Sequence, residues 1–283
     1  MKNNIRRFCF PTSAPEAARL MSRGRGKTLV VAGGTRLTHN ISPAVEVVVD
    51  ISDVPLKHIV ADKKWLRIGA LCTIDELEKS PLLAKWARGV IAKTAGFVSN
   101  APARAMGTVG GNVVRPHPCN NLPAVFLALD AVAVSTDGRR ERAMPFAELL
   151  KPEVMREFGT KYLLTEIRVP AKTKSWSAAA DRLAATKTDW EAWANCVAAV
   201  EKVGNRCRRA AIVLGAVLPR ATRMAEAEAL LLGKPCDEPT ARSVGMAVSS
   251  ELQRLTGGAA AKAYACEVAG VLARRVLIEA FQD

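Results

Sequence analysis

Two glycine-rich loops contain the residue types and spacings of this sequence that could do chemistry. The first is Val31–Leu37 (VAGGTRL), and the second is Met106–Asn112 (MGTVGGN). Paired glycines after a strand let the backbone approach a phosphate closely, and successive N–H groups can form an anion-binding nest. Thr35, Thr108 and Asn112 would add polar contacts to the same ligand. One such loop is more often a turn that needs positive φ, but two together indicate a clasp for the two ends of a long dinucleotide.

The other short motifs fail on their spacing or context. Gly24–Thr28 ends like a P-loop, but Met21 stands where that loop needs its first glycine. Neither glycine loop has the GxGxxG spacing of a Rossmann site, so that fold is not indicated. His39, His58 and His117 lie far apart in the sequence, and we predict no metal site.

The composition is that of a folded chain. Hydrophobic residues make up 49% of the 283 residues and charged residues 24%, which is too apolar for general disorder. No apolar run approaches the roughly 18 residues that span a bilayer, and the N-terminus lacks the apolar core of a signal peptide. Seven scattered cysteines without a CxxC pair fit neither a disulfide framework nor a zinc ribbon. We therefore expect a cytoplasmic location and no transmembrane segment.

Helix and strand patterns alternate irregularly, which predicts an α+β fold. A capping box at Ser13–Glu16 predicts the start of a helix that Gly24 ends in a left-handed cap, and Asp137-Gly138 predicts a β-hairpin. Further helices are expected over 73–78, 81–97, 122–129, 222–232, 239–255 and 259–280. Strands are expected over 27–32, 45–51, 65–70, 131–135, 162–169, 193–203 and 208–217. With a linker at 170–177, the predicted domains are 1–56, 57–170 and 171–283.

These loops and the segments that follow them resemble the FAD-binding (medium) subunit of the molybdenum hydroxylases, the xanthine dehydrogenase and carbon monoxide dehydrogenase family. The family's AGGTxL loop is matched by Ala32–Leu37, and its RNxGTIGGN loop by Arg104–Asn112. Its DLPxxLLALDA helix is similar to Asn121–Ala131, and its LLTEIRVP-like strand to Leu163–Pro170. The likeness continues in order through the last third of the chain, so it covers nearly the whole sequence.

The resemblance implies a PCMH-type two-part FAD-binding fold, followed by a C-terminal domain with a three-stranded antiparallel sheet and helices. FAD would lie between the first two domains. By resemblance, the residues that bind it are Val31, Ala32, Gly33, Gly34, Thr35, Arg36, Leu37, Thr108, Gly110, Gly111, Asn112, Asn121 and Leu164. A side chain at Gly33 or Gly110 is expected to fill the position of the phosphate and abolish FAD retention. No residue is expected to act as a general acid, base or nucleophile.

The function that the resemblance implies is electron transfer within a larger complex. A large molybdopterin subunit would hydroxylate the substrate, and a small subunit with two [2Fe-2S] clusters would relay the electrons. The FAD of this chain would pass them to NAD+, a quinone or oxygen. The expected assembly is a dimer of heterotrimers.

Two alternatives stay open at this point. One is a stand-alone FAD-dependent oxidoreductase, and the other is a flavin-free structural subunit of the same complex. Departures from the family pattern suggest the second. Ala105 and Asn121 stand where the family often has Asn and Asp, and residues 178–187 lack its aromatic-x-Lys-x-x-x-Arg signature.

The net charge of +14 is concentrated in two stretches. Residues 1–36 hold eight cations and one acid, and residues 202–223 hold six cations and no acid, so together they account for 13 of the 14 charges. A basic chain invites a nucleic-acid function, but with only 5% aromatic residues it lacks the interleaved aromatics of single-strand binders. We predict no nucleic-acid binding. We interpret both stretches as docking or solvated surfaces near acidic partner subunits or the dinucleotide, with a secondary contribution to holding a diphosphate.

Overall fold

The computed structural model describes residues 4–24, 26–35, 41–115, 117–186 and 189–282. The chain forms two compact units, each assembled from separated segments. The first unit comprises Met1–Glu76, Ala101–Arg115 and Ala131–Val169, and the second comprises Leu77–Asn100, Pro116–Asp130 and Pro170–Asp283.

The described residues form twelve strands and eleven α-helices, with three short 3₁₀ helices between them. The strands are β1 (Arg7–Cys9), β2 (Thr28–Val31), β3 (Val47–Asp50), β4 (Ile59–Ala61), β5 (Trp65–Gly69), β6 (Val132–Thr136), β7 (Glu141–Pro145), β8 (Leu163–Pro170), β9 (Ser177–Ala184), β10 (Ala192–Val203), β11 (Arg206–Gly215) and β12 (Thr222–Arg223). The α-helices are α1 (Ala14–Arg23), α2 (Ile74–Lys79), α3 (Val90–Gly96), α4 (Ala101–Met106), α5 (Val109–Val114), α6 (Leu122–Ala128), α7 (Phe146–Leu149), α8 (Pro152–Met155), α9 (Ala225–Leu231), α10 (Glu238–Leu255) and α11 (Ala260–Phe281). The 3₁₀ helices are Leu83–Lys85, Ala87–Gly89 and Ala171–Ser175.

A small parallel sheet and helix α1 form the N-terminal part of the first unit. The strand order is β1-β3-β2, and both outer strands run parallel to β3. Helix α1 buries Ala17, Ala18 and Met21 in one apolar cluster with Val49 and Ile51. Those three helix positions follow the three- and four-residue spacing of one helix face, which is why this short segment packs on the sheet.

The start of α1 is predicted correctly and its end is not. Ser13 caps the helix, because its hydroxyl accepts the Glu16 N–H at 3.4 Å. The predicted left-handed cap is wrong, since Gly24 has φ −74°. A Cβ on Gly24 would lie 1.6 Å from the Thr28 hydroxyl oxygen. This glycine is therefore required by the close approach of Thr28 rather than by positive φ.

A five-stranded sheet of order β4-β5-β8-β6-β7 completes the first unit. The predicted hairpin is present: β6 pairs antiparallel with β7, and Gly138 at its tip has φ +88°. The Asp137 carboxylate accepts the Arg139 and Arg140 N–H groups at 2.7 and 2.8 Å. An aspartate that bonds the backbone just after it is the local interaction that closes such turns.

The second unit contains a four-stranded antiparallel sheet of order β12-β11-β10-β9. It consists of the three long strands expected for the C-terminal domain and the two-residue strand β12. Strand β10 buries alternate residues, among them Ala194, Cys196 and Ala198, in one cluster with residues of α9, α10 and α11. The α+β class and this C-terminal architecture are confirmed. The domain boundaries at 56/57 and 170/171 stay predictions.

Three segments differ from the sequence expectation. The helix expected over 222–232 begins only at Ala225, because Thr222–Arg223 pairs with β11 as strand β12. Residues 81–97 are not one helix, because Ala87, Arg88 and Gly89 have φ +46°, +58° and +75° and interrupt the helical path between Leu83–Lys85 and α3. The expected linker at 170–177 forms a 3₁₀ helix and part of β9. Thr173 holds this segment in place, because it is fully buried and its hydroxyl accepts a hydrogen bond from the Trp86 indole at 3.0 Å. No helix in the described part of the chain is long and apolar enough to cross a membrane.

Glu166, in the central strand β8, is a buried carboxylate held by three basic side chains. His58 Nε2 lies 2.7 Å from Glu166 Oε2, Arg67 donates to the same oxygen at 3.0 Å, and Arg168 donates to Oε1. Burial by itself would raise the pKa of Glu166, but hydrogen bonds from Arg67, Arg168 and His58 outweigh it and lower that pKa from 4.5. The charged form is therefore the one that the fold stabilises.

We predict that Glu166→Gln lowers the free energy of unfolding at pH 7 by about 2 kcal/mol, because hydrogen bonds between charged groups are lost. The folded-state pKa lies below the unfolded one, so the contribution is complete above the unfolded pKa and is lost as pH falls through the folded pKa. Urea unfolding between pH 7 and pH 3.5 should show that the difference in unfolding free energy between wild type and variant becomes smaller as the pH falls. Glu157→Gln, in the exposed pair with Lys161, is the control and should change stability little.

We also predict that Gly138→Ala destabilises the chain more than Gly159→Ala. Both glycines have left-handed φ, +88° and +80°, which costs other residues about 1–2 kcal/mol. Only at Gly138 would the new Cβ meet protein, 2.8 Å from the Pro15 carbonyl oxygen, whereas nothing lies within 4 Å at Gly159. Overpacking should add about 1–3 kcal/mol at Gly138. If urea unfolding shows that the two variants lose equal free energy of unfolding, the hairpin tip is not tightly packed on α1.

Candidate cofactor site

The first glycine loop leaves the parallel sheet at the end of β2. The Ile51 N–H donates to the Val31 carbonyl at 2.9 Å, which is the last link to the sheet before Ala32. Gly34 has φ +67°, and a Cβ there would meet nothing within 4 Å. Among the described residues, no group accepts a hydrogen bond from the N–H of Gly33, Gly34 or Thr35. This loop therefore combines available donors with open space, while Arg36 and Leu37 lie outside the described residues.

The N–H groups of the second loop are already used within the chain. Val109 donates to the Cys72 carbonyl at 2.9 Å, Gly110 donates to Ala70 at 2.8 Å, and Gly111 donates to the Thr108 hydroxyl at 3.1 Å. Thr108 is buried and caps α5 through that hydroxyl. The expectation of an anion-binding nest is therefore wrong for this loop, because its donors hold the loop against its neighbours.

The two loops are in direct backbone contact. A Cβ on Gly33 would lie 1.7 Å from the Met106 carbonyl oxygen, and one on Gly107 would lie 3.7 Å from the Thr35 hydroxyl. A Cβ on Gly110 would point at Ala70, 3.0 Å from its carbonyl oxygen. At both positions the direction of an added Cβ leads into protein. The expectation that a side chain at Gly33 or Gly110 abolishes FAD retention stays a prediction. Gly34 is the position whose added side chain would enter open space.

The second loop is positioned by the segment between β5 and α2. Thr73 and Glu76 form a complete capping box, with the Glu76 N–H donating to the Thr73 hydroxyl at 3.1 Å and the Thr73 N–H to the Glu76 carboxylate at 2.8 Å. Burial would raise the pKa of Glu76, but Lys57 and the Thr73 N–H lower it, so the cap is held as a carboxylate. The Ile74 N–H then donates to the Gly107 carbonyl at 2.9 Å. This capping box thus fixes the loop that faces Gly33.

Leu164 is connected to the loops through Ala70. The Ala70 N–H donates to the carbonyl of Thr165, the next residue of β8, at 2.9 Å, and the Ala70 carbonyl accepts the Gly110 N–H. The Leu164 side chain itself is buried in the core. Asn112 lies in α5, where its N–H donates to the Thr108 carbonyl at 3.0 Å. Both residues belong to the first unit, and their contact with a cofactor stays a prediction.

Asn121 belongs to the second unit and is the residue just before α6. It is buried, and its amide nitrogen donates to the Phe97 carbonyl at 3.5 Å. Its amide oxygen is buried without a hydrogen-bond partner in the described part of the chain. A buried polar atom without a partner costs stability, so it is an acceptor that fits a ligand donor or a water molecule. Among the described residues, no group of three His, Cys, Asp or Glu side chains could hold a metal ion.

The chemistry of the first loop suits a diphosphate. Backbone N–H groups that are free of protein acceptors bind phosphate oxygens, and a glycine at positive φ permits their close approach. Comparison with known families agrees with this geometry. Residues 3–172 match the FAD binding domain in molybdopterin dehydrogenase, and residues 182–280 match the CO dehydrogenase flavoprotein C-terminal domain.

The chain belongs to this FAD-binding molybdopterin dehydrogenase family. It is similar to the carbon monoxide dehydrogenase medium chain of Hydrogenophaga pseudoflava, at 28% identity over 94% of both chains. It is also similar to the caffeine dehydrogenase subunit beta of Pseudomonas sp. (strain CBB1), at 26% identity over 83% of this chain and 81% of the relative. The solved carbon monoxide dehydrogenase from Hydrogenophaga pseudoflava superimposes with a TM-score of 0.87 at 26% identity, covering 99% of this chain and 98% of the other. FAD is the cofactor of this molybdenum hydroxylase flavoprotein family, as the sequence resemblance implied.

Sequence reasoning missed the residues that support the second loop. Ala70 and Cys72 hold it through their carbonyl oxygens, and Met106 contacts the first loop through its own carbonyl. Backbone carbonyls belong to every residue, so no residue type marks these contacts. The one available signal is the glycine on the opposite side of each contact, at Gly33 and Gly110.

We predict that Gly33→Ala disturbs the second loop and that Gly34→Ala does not. The added methyl of Gly33→Ala meets the Met106 carbonyl, whereas the methyl of Gly34→Ala enters open space and adds only backbone strain. Hydrogen–deuterium exchange of the chain without FAD should be faster at the Val109 and Gly110 amides in Gly33→Ala alone. Unchanged exchange there would argue against the loop contact.

Proposed function

We propose that this chain is the FAD-carrying electron-transfer subunit of a multi-subunit molybdenum hydroxylase. It would receive electrons from [2Fe-2S] clusters of a small partner subunit and pass them to an external acceptor. The substrate would be hydroxylated at a molybdopterin centre on a large partner subunit. Membership of the flavoprotein family supports this assignment, as does similarity over 94% of its length to a relative that is itself named a medium chain.

The first glycine loop is the observation that carries the proposal. The N–H groups of Gly33, Gly34 and Thr35 have no acceptor among the described residues, and they lie at the end of a strand beside the open space at Gly34. We propose that these groups bind the FAD diphosphate and that Val31, Ala32, Arg36 and Leu37 complete the loop around it. The second loop would support the first and present Gly111 and Asn112, while Thr108 holds α5.

Bound FAD would supply the ability to accept electrons singly and to deliver them in pairs. The contribution of this chain is to bind the cofactor, orient it and limit its contact with water. Asn121 would donate to or accept from the cofactor with its buried amide, and the Leu164 region would pack beside it. No side chain of the chain is assigned a catalytic proton transfer. The proposed assembly is a cytoplasmic dimer of heterotrimers.

The test uses two variants of nearly equal size at Gly34. Asn and Asp tolerate left-handed φ better than other non-glycine residues, so Gly34→Asn and Gly34→Asp should both fold. Gly34→Asp places a carboxylate beside the diphosphate, and repulsion should weaken FAD binding at least tenfold, whereas Gly34→Asn should retain most of the FAD. The measurement is the FAD-to-chain ratio, from visible absorbance and cofactor extraction, in the complex coexpressed with the neighbouring genes.

Several outcomes would contradict the proposal. Equal FAD content in the two variants would show that the diphosphate does not lie at Gly34. A wild-type complex that contains molybdopterin and iron but no FAD would instead indicate a flavin-free structural subunit. Turnover of an organic donor by the isolated flavin-loaded chain would indicate a stand-alone oxidoreductase.

A further inference from the structure

The two basic stretches of the sequence differ in how the structure uses their charges. Most of the cations in the second stretch, residues 202–223, are bonded to carboxylates or backbone carbonyls of this chain. Arg223 pairs with Asp130 at 3.0 Å and with Glu228 at 2.8 Å, and Arg208 and Arg209 both pair with Glu201. Lys202 and Arg206 donate to the backbone carbonyls of Phe281 and Gly233. The expectation that this stretch is a docking surface is therefore not supported.

The first stretch contributes to an arginine cluster that the sequence does not show. Arg19 and Arg23 are exposed one helical turn apart on α1. The tip of the β6–β7 hairpin packs on the same helix, and Arg19 donates to the Gly138 carbonyl at 3.0 Å. The next two residues of the hairpin, Arg139 and Arg140, are also exposed. We call these four residues, Arg19, Arg23, Arg139 and Arg140, the arginine surface.

No carboxylate of the described residues forms a salt bridge with any member of the arginine surface. The Asp137 carboxylate is nearest in sequence, but it accepts the backbone N–H groups of Arg139 and Arg140 and so is engaged in the turn. Elsewhere in the first stretch Lys27 pairs with Glu46 at 2.7 Å, whereas Arg6 and Arg7 are exposed like Arg19 and Arg23. Four exposed guanidinium groups on two packed elements leave an unbalanced positive field.

We propose that the arginine surface docks an acidic face of a partner subunit in the complex. This inference rests on the proposed function, which requires such subunits. Guanidinium groups bind carboxylates with paired hydrogen bonds, so a cluster of Asp and Glu is the complementary chemistry. A folded protein face suits this surface better than nucleic acid does, because the Asp137 carboxylate beside Arg139 and Arg140 would repel a phosphate backbone. The rigid packing of Gly138 on α1 keeps the two pairs of arginines together.

The mode of action follows from the exposure of these side chains. Exposed charges at an interface steer association and set its salt dependence more than they add raw affinity. Their effect falls as salt shortens the Debye length from about 10 Å at 0.1 M toward about 3 Å at 1 M. Removing them should therefore slow assembly at low salt and matter little at high salt.

The experiment reverses charge on the hairpin without touching α1 or the glycine loops. Arg139→Glu/Arg140→Glu is compared with Lys172→Glu/Lys174→Glu, which makes the same charge change at two exposed lysines of the 3₁₀ helix in the second unit. Arg139→Gln/Arg140→Gln, which only neutralises, should fall between wild type and the reversal. Each full-length chain is mixed with the complex of its neighbouring subunits, and binding is followed by biolayer interferometry at 50 mM and 500 mM NaCl. FAD content is measured on every chain.

We expect the hairpin reversal to weaken binding at least tenfold at 50 mM salt, with the loss largely abolished at 500 mM and FAD content unchanged. Binding equal to that of the lysine control would overturn the inference while leaving the proposed function intact. Salt-sensitive binding of the wild-type chain to a DNA or RNA duplex, lost in the reversal, would assign the surface to nucleic acid and overturn it as well. A wild-type chain that binds no neighbouring subunit and retains no FAD would overturn the proposed function itself.

Discussion

The first unit depends on a backbone contact between two loops that are far apart in the sequence. Gly33 has no room for a Cβ because the Met106 carbonyl lies where that carbon would be. The second loop reaches this position by donating its own N–H groups to Ala70 and Cys72. Two loops with the same glycine-rich composition thus have opposite roles. The N–H groups of one are bonded within the chain, whereas those of Gly33, Gly34 and Thr35 in the other have no acceptor among the residues that the structure describes.

The same distinction separates the two basic stretches, because the role of a charge depends on the acids that the fold brings near it. Arg223 is partly buried and has its carboxylate partners within its own unit, so its charge stabilises the β11–β12 region and α9. Arg139 sits at the end of a hairpin turn whose aspartate is used by the backbone. Counting charges along the chain assigns both stretches the same function. Only the pairing shows that most cations of residues 202–223 are bonded to groups of their own unit, whereas the arginine surface has no salt bridge within the described part of the chain.

Local interactions could be predicted from the sequence, and close approaches could not. The capping boxes at Ser13 and Thr73 and the Asp137-Gly138 turn depend on residues a few positions apart, so their residue types are sufficient signals. The sequence does not show why residue 24 is a glycine, because its need for space comes from Thr28, four residues later, folding back on it. Nor does the sequence show the break at Arg88, since an arginine at φ +58° does not alter the apolar periodicity of residues 81–97. The glycine loops show both kinds of interaction. Their residue types reveal where the loops lie, but not which neighbouring backbone leaves no room for a side chain at each glycine.

The strand order of the five-stranded sheet has a consequence for biosynthesis. Strand β8 lies between β5 and β6, yet it is the last strand of this sheet to be synthesised. Until residues 163–170 leave the ribosome, β5 and β6 each have an unpaired edge, and unpaired edges are the surfaces on which nascent chains aggregate. The Thr165 carbonyl that anchors Ala70 arrives with the same strand. The hydrogen bond that anchors Ala70, and with it Gly110, to the sheet therefore forms only after more than half of the chain has been translated.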